Sequence, residues 1–180
     1  MRENKDLHFS VSFTTRPKRS TETNGVDYHF VTPEAFAAMV RADDFLEHAN
    51  VFDYQYGTSK TEVESKLANG HNVILEIDWQ GAQQVRQHMP GCHSVFILPP
   101  SVEELKTRLT GRATDSAEVI ERRFRDAVED MSHWHEFDYV VINANLDKAA
   151  AELTAIIRGE GSDNATSRPD MAQKLAIILG

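Results

Sequence analysis

The sequence predicts an α/β domain built on a parallel sheet, and three observations carry that expectation. Short apolar runs rich in β-branched residues recur along the chain: Val73-Ile74-Leu75-Glu76-Ile77, Val95-Phe96-Ile97-Leu98 and Tyr139-Val140-Val141-Ile142. Each is followed by a segment with helix-start signals, and strands alternating with helices place the helices over a parallel sheet. Between Asp27 and Tyr56 the apolar segments cluster more tightly, which implies a small antiparallel insert over one end.

At 180 residues the chain fits one domain with a small inserted subdomain. A hydrophobic content of 41% and a charged content of 26% describe an ordinary globular protein. The net charge of −9 argues against general nucleic-acid binding, which needs basic patches to neutralise phosphates. A few local arginines still suffice for a small anion. Cys92 is the single cysteine, so no internal disulfide forms and a cytoplasmic setting is expected. The first residues are charged without an apolar leader core, and no stretch approaches the length of a membrane span.

In chain order, His8-Phe9-Ser10-Val11-Ser12-Phe13 alternates and reads as a strand entering a loop. That loop, Thr14-Thr15-Arg16-Pro17-Lys18-Arg19, concentrates three cations and two hydroxyls. Arg16 and Arg19 suit bidentate contact with phosphate oxygens, although a solvated basic turn has the same composition. Asn24-Gly25 signals a tight turn and, before Val26–Val31, a hairpin. Thr32-Pro33-Glu34 opens a helix with a capping hydroxyl and proline at its first position. Residues 45–52 read as paired strands facing a cleft, and 53–58 as an aromatic turn region.

Ser59-Lys60-Thr61-Glu62 and Ser101-Val102-Glu103-Glu104 are capping boxes, and Gly70 closes the first of their helices. Between them lies the strand after Asn72, expected to be buried on both faces. Glu76 and Asp78, two apart, would point the same way at its carboxyl end, where ligands sit in open α/β sheets. Gly111–Ser116 interrupts the helical pattern before a charged helix containing Glu121-Arg122-Arg123-Phe124-Arg125. Arginines flanking such a loop suit a closing lid, while a solvated face with Glu–Arg pairs explains part of the pattern. Leu146–Arg158 reads as an amphipathic helix, 159–180 as a flexible tail, and Met171–Leu179 as a short helix able to dock. Eight histidines offer no metal-ligand pattern, since His133 and His135 lack an acidic or cysteine complement.

Taken in order, Ser10-Val11-Ser12-Phe13-Thr14-Thr15-Arg16, Arg19, Gly25-Val26-Asp27-Tyr28, Phe45-Leu46-Glu47, Tyr56-Gly57-Thr58, Leu75–Gly81, Phe96–Ser101 and Arg108–Arg112 resemble the guanylate kinases from about Phe9 to Arg158. The resemblance implies a P-loop NTPase-like parallel sheet, a mixed β GMP-binding insert at about 27–58, a lid at about 108–124, and transfer of phosphate from ATP, with Mg²⁺, to GMP. It implies that Ser12, Arg16, Arg19, Tyr28 and Tyr56 hold the GMP phosphate, that Glu47 accepts from guanine N1–H and the 2-amino group, and that Thr58 donates to O6. Glu76, often Asp in the family, and Asp78 would lie near GMP and the Mg²⁺ shell. Arg108, Arg112 and Arg123 would stabilise the transferring phosphoryl group, and Asn143 would lie by the adenine.

The family pattern also carries G-x-x-x-x-G-K-[ST] ahead of the Ser-Val-Ser strand, whereas no Gly here precedes a Lys and eight residues precede Phe9. The expectation is therefore very low kinase activity from this polypeptide, or a start placed downstream in a longer frame. The competing class is a non-catalytic guanylate-kinase-like module that binds GMP or a phosphopeptide.

Overall fold

The computed structural model describes residues 7–111 and 117–179, and the chain divides into two units, Met1–Cys92 and His93–Gly180. The first contains β1 (Leu7–Phe9), β2 (Phe13–Thr14), β3 (His29–Phe30), α1 (Pro33–Arg41), β4 (Phe45–Val51), β5 (Tyr54–Ser59), α2 (Lys60–Ala68), β6 (Asn72–Ile74) and α3 (Trp79–His88). The second contains β7 (Val95–Leu98), α4 (Val102–Thr110), α5 (Ala117–Met131), β8 (Tyr139–Ile142), α6 (Leu146–Ile157) and α7 (Met171–Leu179), with 3-10 helices at Ser132–Glu136 and Ser162–Asn164.

Parallel pairing occurs in both units, β1 with β6 and β7 with β8. The insert is a four-stranded mixed sheet in the order β3-β2-β5-β4. Its long antiparallel pair, β4 with β5, slips register between Phe45 and Glu47. The hairpin expected at Asn24-Gly25 does not form: residues 25–27 turn, and β3 returns parallel to β2. Gly25, at φ +78°, carries that turn in a conformation costly to other residues. The expected turn region 53–58 is mostly strand β5, because its alternating side chains pair across to β4.

Helix starts follow the sequence signals closely. Thr32, Ser59 and Ser101 accept from the backbone N–H groups of Ala35, Glu62 and Glu104 at 3.2, 3.2 and 3.1 Å. Each satisfies one orphan donor of a first turn. The strand after Asn72 is shorter than expected. It ends at Ile74 and is only half-buried, since Asp78 is drawn into capping α3, accepting from Gly81 N at 2.8 Å. Glu76 and Asp78 therefore do not extend from one strand; Glu76 lies in the linking segment and is exposed.

In the first unit, Leu46, Val63 and Val85 join β4, α2 and α3 over Val73, Leu75 and Ile77. Phe36 of α1 is fully buried and packs on Phe45 at 4.6 Å between ring centroids. In the second, Leu98, Met131 and Val140 pack with Met171, Leu175 and Ile178 of α7. The segment read as a flexible tail is anchored instead. Asn164 Nδ2 donates to Val140 O at 2.9 Å, and Thr166 Oγ1 donates to Phe137 O at 2.6 Å. Its Gly- and Ser-rich composition hid those backbone partners, and the docked helix supplies apolar burial. Among the described residues, no helix is long and apolar enough to cross a membrane.

Candidate functional site

The first unit gathers a cationic centre where β2 runs into its loop. Arg16 forms a fork onto Glu22, with Nη2 to Oε1 at 2.6 Å and Nη1 to Oε2 at 3.1 Å. Both side chains are 13% exposed, so the pair is shielded enough to be geometrically fixed. The guanidinium also lies 5.3 Å from the Tyr28 ring centroid and 5.6 Å from that of Phe30, within cation–π range. The hydrogen bond from Arg16 holds the Glu22 carboxyl at about 2, and the same bond raises the Arg16 pKa, with Tyr56 adding to it.

Arg19 donates its backbone N–H to Glu22 Oε2 at 2.7 Å, while its side chain remains 58% exposed. One carboxylate thus organises the whole basic turn. Glu22 escaped the sequence reading, although it is the sole acid between Thr14 and Asn24. The loop hydroxyls serve the backbone. Thr14 Oγ1 accepts from Arg16 N at 3.1 Å and Thr15 Oγ1 from Gln55 N at 2.9 Å, so both brace the backbone. Ser12 is half-buried at the entry to this turn, and its carbonyl accepts from His29 N at 2.9 Å. Tyr28 and Tyr56 meet edge to face at 5.9 Å. Burial raises the Tyr28 pKa, with the Glu76 charge as the next cause, which associates exposed Glu76 with this centre.

A second centre is acidic and buried. Glu47 of β4 is 3% exposed and Thr58 of β5 is fully buried. Thr58 Oγ1 donates to Glu47 Oε1 at 2.6 Å across their register pair. Burial pushes the Glu47 carboxyl up to about 7, against the Thr58 hydrogen bond and with help from the Asp78 charge. The Asp78 pKa is also raised, mainly by burial, despite its bond from Gly81 N. Because the Thr58 proton is committed to Glu47, this hydroxyl orients the carboxylate; donation to a guanine O6 requires it to turn. The expected pairing of Glu76 with Asp78 on one strand face does not form; the cap of α3 brings Asp78 beside Glu47 instead.

In the second unit, Arg108 closes α4, donating Nε to Glu104 Oε1 at 2.8 Å and Nη2 to Asn143 O at 3.0 Å. Arg108 and Asn143 line an open cavity of about 220 Å³ with Leu98, Pro99, Leu105 and Leu109. Arg123 lies half-buried on α5. Lys106 of α4 pairs with Glu121 of α5 at 3.6 Å and lies over the Phe124 ring at 5.1 Å, tying the two helices together. Arg112 lies outside the described residues.

Known proteins resemble this chain along its whole length. The family model for guanylate kinase matches residues 1–160. The chain is 51% identical over 180 residues to the guanylate kinase of Alkalilimnicola ehrlichii, covering all of this chain and 89% of that protein. It is 60% identical over 150 residues to that of Hydrogenovibrio crunogenus, covering 83% of this chain and 73% of the relative. The crystal structure of guanylate kinase from Anaplasma phagocytophilum is similar with a TM-score of 0.76 at 32% identity, over 96% of this chain and 85% of that one. A basic turn clamped by a carboxylate, a buried acceptor braced by threonine, and a likeness spanning the whole chain lead to one assignment: the chain belongs to the guanylate kinase family and is a nucleoside monophosphate kinase, phosphorylating GMP.

Proposed function

We propose that the first unit is the GMP-recognition half of this kinase, with the phosphate on the cationic centre and guanine on the acidic one. Arg16 and Arg19 take phosphate oxygens, with Ser12, Tyr28 and Tyr56 completing the shell. Glu47 accepts from guanine N1–H and the 2-amino group, two donors that adenine does not present in that arrangement. The observation that carries this reading is the buried Glu47–Thr58 pair, held at 2.6 Å. An acceptor fixed that way discriminates by leaving its own charge unpaired against the wrong base. A phosphopeptide module uses the cationic turn alone and leaves this pair without a task.

The second unit supplies the donor side in this proposal. Asn143 lies by the adenine, and Arg108, Arg112 and Arg123 neutralise the transferring phosphoryl group of ATP. Such transfer is governed by positioning and charge stabilisation more than by covalent catalysis. Mg²⁺ arrives with ATP, bound mainly by phosphate oxygens and water, as that ion prefers. The residues here fit that mode. Asp78 has Oδ1 committed to its helix cap and Oδ2 to Gln80 Nε2 at 3.2 Å, while Glu76 is exposed and suited to a contact through water. The acidic chain with a single cysteine fits a cytoplasmic enzyme using small-molecule substrates, without nucleic acid or membrane.

Calorimetric titration of the chain with GMP, AMP and MgATP tests the reading. Saturable GMP binding, well above AMP, supports it. Equal binding of GMP and AMP, or none of either, sinks the base-reading assignment.

A further inference from the structure

The geometry points to Gly81 as a specificity-determining residue: the missing side chain in the first turn of α3 leaves the space that Glu47's carboxylate occupies, and so fixes where that acceptor stands. This rests on the GMP reading above and deepens it. A Cβ at Gly81 would lie 2.5 Å from Glu47 Oε2 and 3.1 Å from its Cδ, with Asp78 Oδ1 at 3.3 Å. The first of these is a distance that real Cβ atoms do not tolerate, so one side must give.

The helix is not free to retreat. One turn further along α3, the Gln84 side chain pairs with both backbone groups of His48, accepting from its N–H at 3.1 Å and donating to its C=O at 2.9 Å. His48 directly follows Glu47 on β4, so this double bond sets the spacing of α3 and β4 beside the acid. Gly81 N is also held, by Asp78 Oδ1 at 2.8 Å. Glu47's carboxyl end is therefore the group that moves, and it cannot move without stretching its bond from Thr58. Helix propensity argues in the same direction. Glycine is a poorer helix former than alanine, and no positive φ calls for glycine at position 81. The residue lowers the helix's own stability and serves the position of the acceptor.

Four forms of the full chain decide the matter: wild type, Gly81→Ala, Glu47→Asp and the double variant. Each is titrated with GMP and AMP and melted thermally. Gly81→Ala should still fold and melt cooperatively, lose about tenfold or more in GMP affinity, and narrow the GMP-over-AMP ratio by the same factor. In the Glu47→Asp background, where the carboxylate is drawn back by one methylene, the same alanine should cost less than about threefold, a coupling that a double-mutant cycle isolates. Gly81→Ala binding like wild type overturns the inference, as do equal losses for GMP and AMP and equal costs in both backgrounds. Failure of Gly81→Ala to fold overturns it too, by assigning the glycine to packing. A wild type that does not prefer GMP over AMP would instead remove the recognition reading beneath it.

Discussion

The two units treat their charged groups in opposite ways. In the first, Glu47 is 3% exposed and Arg16 13% exposed, and each is locked by a short bond before any ligand arrives. In the second, Arg108 is 40% exposed and its carboxylate partner Glu104 42% exposed, an i,i+4 pair that water can replace. Base recognition needs acceptors whose position does not change, because discrimination comes from groups that cannot re-pair. Charge neutralisation during transfer needs cations that can reach a developing charge, and an exposed arginine at a helix end can do so. On the proposed function, the contrast separates a reading surface from a reacting one.

The strongest way to break that contrast is to exchange the two roles. Glu47→Ala should weaken GMP binding by about a thousandfold, while Arg108→Ala should leave it within about twofold. Parallel GMP titrations of both variants check this. A loss of GMP affinity in Arg108→Ala comparable to that in Glu47→Ala would end the division of labour.

The second unit's rigidity is tested elsewhere, in its core. Leu175 of α7 is fully buried against Leu98, Met131 and Val140. Leu175→Ala should cost about 2–5 kcal/mol of unfolding free energy, read from urea denaturation, by transfer loss plus residual cavity. A variant as stable as wild type would mean that α7 is undocked in solution and that the tail is flexible after all.

That last point shows where the sequence was readable. Helix starts were legible because a hydroxyl and an acid three residues on satisfy a local donor, as at Ser59, and the neighbours alone decide it. The proposed site residues Arg16, Glu47 and Thr58 were singled out by a likeness of motifs, which said nothing of their pairings. Glu22's partner lies six residues away around a turn, Thr58's lies eleven away across a strand pair, and neither distance has a periodicity to announce it. The Asn24-Gly25 hairpin failed for a related reason: the turn is real, but β3 pairs in parallel with β2, a choice made by the sheet and not by the dipeptide. The length of the strand before Asp78 was misread because a helix cap competes for that carboxylate, which an apolar pattern does not show.

Removing the clamp on the basic turn sharpens the comparison further. Glu22 fixes Arg16 from two atoms and Arg19 from its backbone, yet its charge also repels an incoming phosphate. Glu22→Ala frees both arginines and removes that repulsion, so the two effects partly offset. Orientation should dominate, because the fork is short and shielded. GMP affinity is expected to fall about tenfold with the GMP-over-AMP ratio unchanged, since the centre proposed to read the base is untouched. Tighter GMP binding in Glu22→Ala would identify the carboxylate as a competitor and not a clamp.

The smallest expected effect is the pH dependence, and its sign follows from burial. Glu47 is raised from 4.5 to about 7, so the folded chain without ligand retains a proton that the unfolded chain has already lost. Folding stability from this group is therefore highest below about pH 4.5 and declines as pH rises toward 7. In the proposed recognition, guanine needs the opposite state, the ionised carboxylate accepting two hydrogen bonds, and GMP binding should improve as the pH rises through 7. Between pH 6.5 and 8, above the second ionisation of the phosphate near about 6, GMP affinity should rise about fourfold. Glu22 contributes nothing to that rise, because its carboxyl stays ionised down to about 2. Calorimetry across this range, with Glu47→Gln unfolded by urea at the same pH values, checks both halves. Wild type should lose stability relative to Glu47→Gln as the pH rises, while its GMP affinity grows. A flat GMP affinity would place the Glu47 carboxyl back in the ordinary range and make its burial, and not its charge, the basis of discrimination.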